Sequence, residues 1–480
     1  MKGDDLDASV RGVFANRTVN LRSVSAIGYD MDYTLIHYRT EEWEWAAFEH
    51  AVELLRLRGW PVGGLEFRPD DHLQGLVIDL ELGNLVKPTR FGYVITAHHG
   101  TRPLGFDELR TCYAGTFVDL AEPRWQFLNT MFSLSEASLF AQLVERVDAG
   151  EAPGLLGYDD VYRAVRQAID DSHAQGALKA RVIADPDRYV ELDGEEAVTL
   201  LDQRAAGKRL LLITNSEWAY TQAMMSWCFD RTVPTGNWRD LFDLVVVSAA
   251  KPRFFAEDPA AFRVVDELRG WLAPHRGPFE MGAVYHGGSA RLVEASLGLT
   301  GDQILYVGDH LFGDVHMSKA TLRWRTMLIL RELEAEIEAS AAFAADEAHL
   351  RRLMADKATA EDRLAVLRLR RVREAGKASA ATQRSIDIEL AALRRLDERI
   401  SPLAQAAAQL GNTRWGPLMR AGHDKSLFAR QVERYADLYT SRVSNLGRRT
   451  PFAYLRAVRT SLPHDVVADP SPDGGTSPQG

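Results

Sequence analysis

An α/β domain built on a parallel sheet is the fold class that three features of this chain predict. Four short apolar runs, Val24–Tyr29, Leu210–Ile213, Leu244–Val247 and Ile304–Val307, lack clean alternation, as strands buried on both faces do. Longer amphipathic stretches separate them, which is the βαβ order of a doubly wound fold. Each run also ends on polar residues: Asp30-Met31-Asp32, Thr214-Asn215-Ser216, Lys251 a little beyond the third run, and Gly308-Asp309. Ligands in open parallel sheets bind beyond the carboxyl ends of the strands, so these four ends predict one shared site.

Composition sets the limits. The chain has 480 residues, 46% hydrophobic and 26% charged, enough for a sizeable core and more than one domain. A formal net charge of −10 excludes a general binder of nucleic acid or anionic membranes. It leaves room for a small phosphate, because a pocket can be locally positive. The two cysteines, Cys112 and Cys228, sit in no metal-ligand spacing and read as core residues of a reducing compartment. Met1–Arg11 is polar, without the apolar stretch of a secretion signal, and no run approaches the ~18 apolar residues of a membrane span. The expected compartment is the cytoplasm.

The roughly 140 residues between the first two runs are too many for a simple crossover. They predict a mostly helical cap over 46–181, inserted after the first motif strand. The core then comprises 1–45, 182–331 and 411–466. Residues 332–410 are rich in Ala, Glu, Arg and Leu, with Pro402 the one proline. Leu350, Leu353, Leu364 and Leu367 share a helical face, Ala375-Gly376-Lys377 interrupts, and Ile386, Leu390, Leu393 and Leu396 resume the pattern. This predicts a helical hairpin with an antiparallel partner or an oligomer contact, and no part in the chemistry. The Pro/Gly/Ser-rich stretch 467–480 is expected to be disordered.

Asp30 and Asp32 stand two apart immediately after a buried strand. Two desolvated carboxylates so close repel each other unless a cation or a proton joins them. Mg²⁺ suits the place, since it prefers oxygen ligands and keeps room for phosphate oxygens. Asp30 is then the expected nucleophile on phosphorus and Asp32 the general acid and base. Asp309 completes the metal set of Asp30, Asp32 and Asp309, with Asp314 behind it orienting the metal or the lysine. Thr214, Asn215 and Ser216 lie where a strand meets a helix start, a natural phosphate cradle. Lys251 can neutralise charge on the transferring phosphoryl group. Taken singly, each has a blander reading: a turn, an N-cap or a solvated lysine. Their coincidence at four strand ends favours catalysis.

Asp30-Met31-Asp32-Tyr33-Thr34-Leu35, the Thr214-Asn215-Ser216 turn, Ala250-Lys251-Pro252 and Gly308-Asp309 through Gly313-Asp314 resemble the four motifs of the haloacid-dehalogenase superfamily. More narrowly, the chain resembles the cytosolic purine 5′-nucleotidases that prefer IMP and GMP. Phe127-Leu128-Asn129-Thr130-Met131-Phe132, Tyr285-His286-Gly287-Gly288-Ser289 and Arg434-Tyr435-Ala436-Asp437-Leu438-Tyr439 extend the likeness. The resemblance implies a Rossmann-like core, Mg²⁺ as cofactor, a nucleotide substrate and a homo-oligomer, with nucleoside phosphotransfer as a second activity. It also implies that Arg166, Asp170, His173 and Phe132 hold the base and that Lys179 reaches the phosphate. Helical spacing places Asp170 and His173 near the face of Arg166, although an Arg166–Asp170 pair alone would read as a surface ion pair. Ala174 departs from the family's tyrosine at that position. Two other readings stand beside this one: the same chemistry on another small phosphate ester, and a non-catalytic relative acting as a scaffold through 332–410.

Overall fold

The structure is a computed structural model that describes residues 9–130, 133–152, 154, 157–174, 176–234, 236–374 and 380–458, without the side chains of 173 and 174. Phe132 and the expected tail, 467–480, lie outside the described residues, as does the side chain of His173. A ten-stranded sheet forms the core. Ala26–Tyr29 runs through its middle, parallel to Ile304–Gly308 on one side and to Arg209–Ile213 on the other. Leu244–Val247 and Val284–Gly287 extend it in parallel beyond Arg209–Ile213, while Arg325–Ile329 and Leu438–Thr440 extend it beyond Ile304–Gly308. Short antiparallel strands close both edges, Phe14–Ala15 at one and Ala261–Asp266 with Trp271–His275 at the other. All four apolar runs become strands of this sheet, and its strands are buried on both faces at Ala26–Tyr29, Leu244–Val247 and Ile304–Gly308.

This order places the switch point at Asp30. The chain leaves Ala26–Tyr29 and later returns on both of its sides, so the crevice beyond its carboxyl end opens between Ile213 and Gly308. Register fixes the neighbours: Tyr29 pairs with Leu212 and with Val307. The next residue, Asp30, donates its backbone N–H to Val307 O at 2.9 Å.

Between Asp32 and Arg209 the chain builds a second core. Helices Thr40–Leu57, Leu134–Asp148 and Tyr158–Ala174 bury Phe48, Leu55, Phe140, Leu143, Val161 and Val165 against one another. A five-stranded antiparallel sheet stands beside them, in the order Arg102–Pro103, Val94–His99, Asn84–Pro88, Val77–Asp79 and Trp125–Phe127. This sheet was not foreseen from sequence, because its strands are short and carry Asn84, Lys87, His98 and His99 instead of an apolar run. Buried Lys87 explains how it is held. Its ammonium donates to Trp415 O at 2.5 Å and Pro417 O at 2.6 Å, drawing a distant segment onto the sheet. Trp415 in turn joins the apolar core of the three helices.

Helices Ala344–Arg373 and Ala380–Ala408 pack side by side. The ion pairs Lys357–Asp397 and Arg363–Glu389 step in opposite directions along them, so the two are antiparallel. Leu353, Leu364 and Ile386 are buried there, while Val366, Leu369 and Ile388 face outward. Among the described residues no helix is long and apolar enough to cross a membrane.

Candidate active site

Three strand ends deliver charge to one point. Asp30 follows the central strand, Asp309 and Asp314 follow Ile304–Gly308, and Lys251 follows Leu244–Val247. Lys251 Nζ lies 2.7 Å from Asp30 Oδ2 and 2.8 Å from Asp314 Oδ1, and donates to Tyr306 OH at 3.0 Å. The Tyr306 hydroxyl donates in turn to Ile213 O at 3.0 Å. Backbone conformation brings the lysine in: Ser248 and Ala250 adopt φ of 48° and 58°, in the left-handed region that non-glycine residues avoid. Asn215 then clamps the Lys251 backbone, accepting its N–H at 2.6 Å and donating to its carbonyl at 3.2 Å.

Oxygens of Asp30, Asp309 and Asp314 all lie within 4.8 Å of one another, and all three residues are buried. Gly308 makes this approach feasible, since a Cβ there would sit 2.5 Å from Asp314 Oδ2 and 2.8 Å from its Cβ. Three carboxylates face one ammonium, which leaves two negative charges unmatched. Burial pushes the Asp30 carboxyl up to about 6, with Lys251 opposing and Asp314 adding to the rise. Burial, then the charges of Asp30 and Asp314, holds the Asp309 carboxyl well above the usual range. Burial opposes the charge on Lys251, but the two carboxylates beside it raise its pKa well above the ordinary value. An all-oxygen trio with unmatched negative charge fits a hard divalent cation.

Asp32 takes a different place from the one read in the sequence. Its carboxylate lies outside the trio, accepting from Tyr38 OH at 2.6 Å and from Ser216 Oγ at 2.7 Å, and Asp314 occupies the position expected of a ligand. The physical reason is the glycine at 308, which lets Asp314 advance, together with two hydroxyls that draw Asp32 aside. Burial raises the Asp32 carboxyl, against the nearby Lys179 charge and both hydrogen bonds. Thr214 turns inward and accepts the Ser216 N–H at 3.0 Å, so Asn215 and Ser216 reach the cavity and Thr214 does not. Lys179 pairs with Glu217 at 2.6 Å and donates to Ser216 Oγ at 3.3 Å, above the ring of Tyr220.

These groups form the floor of a cavity of about 800 Å³. Arg166 and Asp170 line its opposite wall, from helix Tyr158–Ala174. Asp170 lies 3.2 Å from the Arg166 guanidinium, which also donates to Glu136 at 3.0 Å. Glu136 and Tyr162 are wall residues that sequence reading passed over, while Phe127 and His310 lie within the family-like motifs without a role assigned to them. Glu136 had a legible signal: it is a carboxylate in the first turn of a helix whose neighbours on both sides are apolar or small. Tyr162 carried none.

A buried carboxylate trio, a paired lysine and a second carboxylate held by hydroxyls define a phosphoester-cleaving site at the switch point of an α/β sheet. Residues 13–467 match the family model described as the 5′ nucleotidase family, and the chain belongs to that family. It is a phosphoric monoester hydrolase, with nucleotide phosphates as the general substrate class. The 5′-nucleotidase domain-containing protein 2 of Homo sapiens is 29% identical over 95% of this chain and 85% of its own length. Its Rattus norvegicus counterpart is 29% identical over 95% and 80%. A haloacid dehalogenase-like family hydrolase from Xanthomonas campestris aligns with 64% of the chain and 82% of its own, at 13% identity and a TM-score of 0.24.

Proposed function

We propose that this enzyme is a Mg²⁺-dependent purine nucleoside 5′-monophosphatase of the IMP/GMP type, with Asp30 as nucleophile. The observation that carries the reading is that one cavity joins the Asp30–Lys251–Asp309 cluster to Arg166 and Asp170. In this reading Asp30 Oδ bonds to phosphorus as the bond from phosphorus to the sugar oxygen breaks. Asp32, its pKa raised by burial, gives that oxygen its proton. Water then attacks the aspartyl-phosphate, Asp32 takes the water's proton, and inorganic phosphate leaves. Lys251 offsets charge on the equatorial oxygens, and Lys179 and Ser216 bind the phosphate beside it. Asp30, Asp309 and Asp314 would hold Mg²⁺. When bound, the ion supplies charge neutralisation of the phosphoryl oxygens.

Arg166 and Asp170 offer a donor and an acceptor on one face, a pairing suited to the hydrogen-bonding edge of a purine. The test is phosphate release from IMP, GMP, AMP, CMP, UMP and p-nitrophenyl phosphate, with and without Mg²⁺. Purine monophosphates should give the highest kcat/KM, and chelation should stop turnover reversibly. Equal rates for all the esters would defeat the purine assignment, and full activity after chelation the metal requirement.

A further inference from the structure

Away from the cavity, a second set of ligating side chains is buried where the ribbon of His37–Tyr38 and Val190–Glu191 meets helix Glu196–Ala205. Ligand atoms of His37, Asp193 and Glu196 lie within 4.8 Å of one another. His37 is 4% exposed and Glu196 3%. Among the described residues neither ring nitrogen of His37 finds a hydrogen-bond partner, and neither does Oε1 of Glu196. Buried polar atoms in that state are uncommon, because each forfeits its hydration without a replacement. The gap from His37 Nε2 to Glu196 Oε1 is 3.5 Å. That is longer than the roughly 2.7–3.2 Å of an N–H···O bond. It is close to the edge of a tetrahedron, about 3.4 Å, spanned by two ligands on one zinc ion.

The surroundings have the charge for a dication. Glu191, Asp193, Glu195, Glu196 and Glu334 outnumber Arg11, Arg331 and Arg442 by two, and among the described residues Glu196 is the one of the five that pairs with no arginine. The guanidinium groups stand back from Asp193, Arg11 at 3.9 Å and Arg442 at 3.8 Å. Asp193 accepts from Ser444 Oγ at 2.5 Å and from Glu195 N at 3.0 Å, contacts that orient a carboxylate without exhausting its lone pairs. Burial first, then the Arg331 charge, lowers the His37 imidazole to about 4, which keeps it in the neutral, ligating form.

We propose that His37, Asp193 and Glu196 form a second divalent-metal site, of the zinc type and separate from the oxygen-only catalytic trio. One imidazole with two carboxylates selects a borderline ion such as Zn²⁺ over Mg²⁺. The site has a structural purpose. It ties the His37–Tyr38 strand to the start of helix Glu196–Ala205, and Tyr38 is the residue whose hydroxyl holds Asp32.

The untagged full-length chain, stripped with chelator, is titrated with Zn²⁺ under excess Mg²⁺, in an Asp309→Asn background that weakens the catalytic trio. One Zn²⁺ per chain should survive gel filtration, and its X-ray absorption should show an imidazole ligand. His37→Gln should remove that signature, and both His37→Gln and Glu196→Gln should weaken retention by about tenfold or more. The proposal is overturned if Zn²⁺ does not bind, binds through oxygen alone, or is held equally well by both variants. Should His37→Gln fail to fold, Glu196→Gln, which keeps the side-chain shape, carries the test by the same loss of affinity.

Discussion

The two walls of the cavity follow different rules. On the core wall, Asp30, Asp309, Asp314 and Lys251 are each less than a tenth exposed, and each follows a strand of one sheet. On the insert wall, the side chains of Arg166 and Asp170 are 50% and 58% exposed and ride on a helix. Buried charges act strongly and are set by the backbone, whereas half-exposed charges are screened by water and act through contact. With the proposed function, the comparison implies a division of labour: the core wall would supply rate and the insert wall choice of substrate. Substitutions on the first should lower kcat, and substitutions on the second should alter KM for some substrates only.

The largest effect is expected at Asp30. Asp30→Asn keeps the shape and removes the nucleophilic charge, so kcat should fall by roughly 10⁴-fold or more. The measurement is single-turnover phosphate release, beside thermal melting to show an intact fold. Residual turnover within tenfold of the parent would remove Asp30 from the chemistry. Gly308→Ala tests the geometry without removing a charged group. Its Cβ must displace Asp314, and misplacement of the trio should cost about 10²-fold in kcat, beside a destabilisation of about 1–3 kcal/mol from overpacking. An unchanged kcat would show that the close approach of Asp314 is dispensable.

The same contrast explains what was legible in the sequence. The core wall could be read because each strand is an apolar run and its site residues follow within a few positions: Asp30, Asn215, Ser216 and Asp309 nearly at once, and Lys251 four residues on. Asp314 lies 2.8 Å from Lys251 Nζ, as expected of a residue that orients the lysine, but its approach to Asp30 and Asp309 past Gly308, and the Tyr38 hydroxyl that holds Asp32, act across the fold and leave no local pattern. In the insert, the length and the helical part were legible, and Arg166, Asp170 and Lys179 were named from the family resemblance, but the sheet was not legible. Its sheet is built from strands with polar interiors, held by Lys87 reaching residues more than three hundred positions away. Tyr306, which braces Lys251, reads in sequence as one more apolar strand position.

A third prediction places pH sensitivity in the framework of the insert. Glu44, on helix Thr40–Leu57, is fully buried and accepts the Ser135 N–H at 2.8 Å, joining two insert helices. Burial raises its carboxyl from the ordinary value of 4.5 to about 7, against the opposing hydrogen bond from Ser135. The folded chain therefore holds this proton more tightly than the unfolded chain. The stability that it brings is complete below pH ~4.5 and is lost as pH rises through about 7. Glu44→Gln keeps the acceptor and removes the titration, so its stability relative to the parent should grow by about 2 kcal/mol between pH 5 and 7. Denaturant unfolding at the two pH values measures this. Parallel profiles for the two proteins would show that Glu44 does not titrate in that range.

The smallest effect, and the one that most sharpens the contrast, belongs to Asp170. Among the described residues its carboxylate is tied to Arg166 alone, at 3.2 Å, and a surface pair of this kind contributes little to stability. Asp170→Ala should therefore leave melting unchanged, and any kinetic effect reports contact with substrate. If Asp170 accepts a hydrogen bond from the base, KM for IMP and GMP should rise by about tenfold, as for one lost bond to a charged partner. p-Nitrophenyl phosphate has no such donor and no reach to that wall, so its KM should stay within about twofold. A parallel rise for both substrates would mean that the insert wall shapes the whole site and not the base alone. In that case the division between the walls would fail at Asp170 even with the chemistry of Asp30 intact.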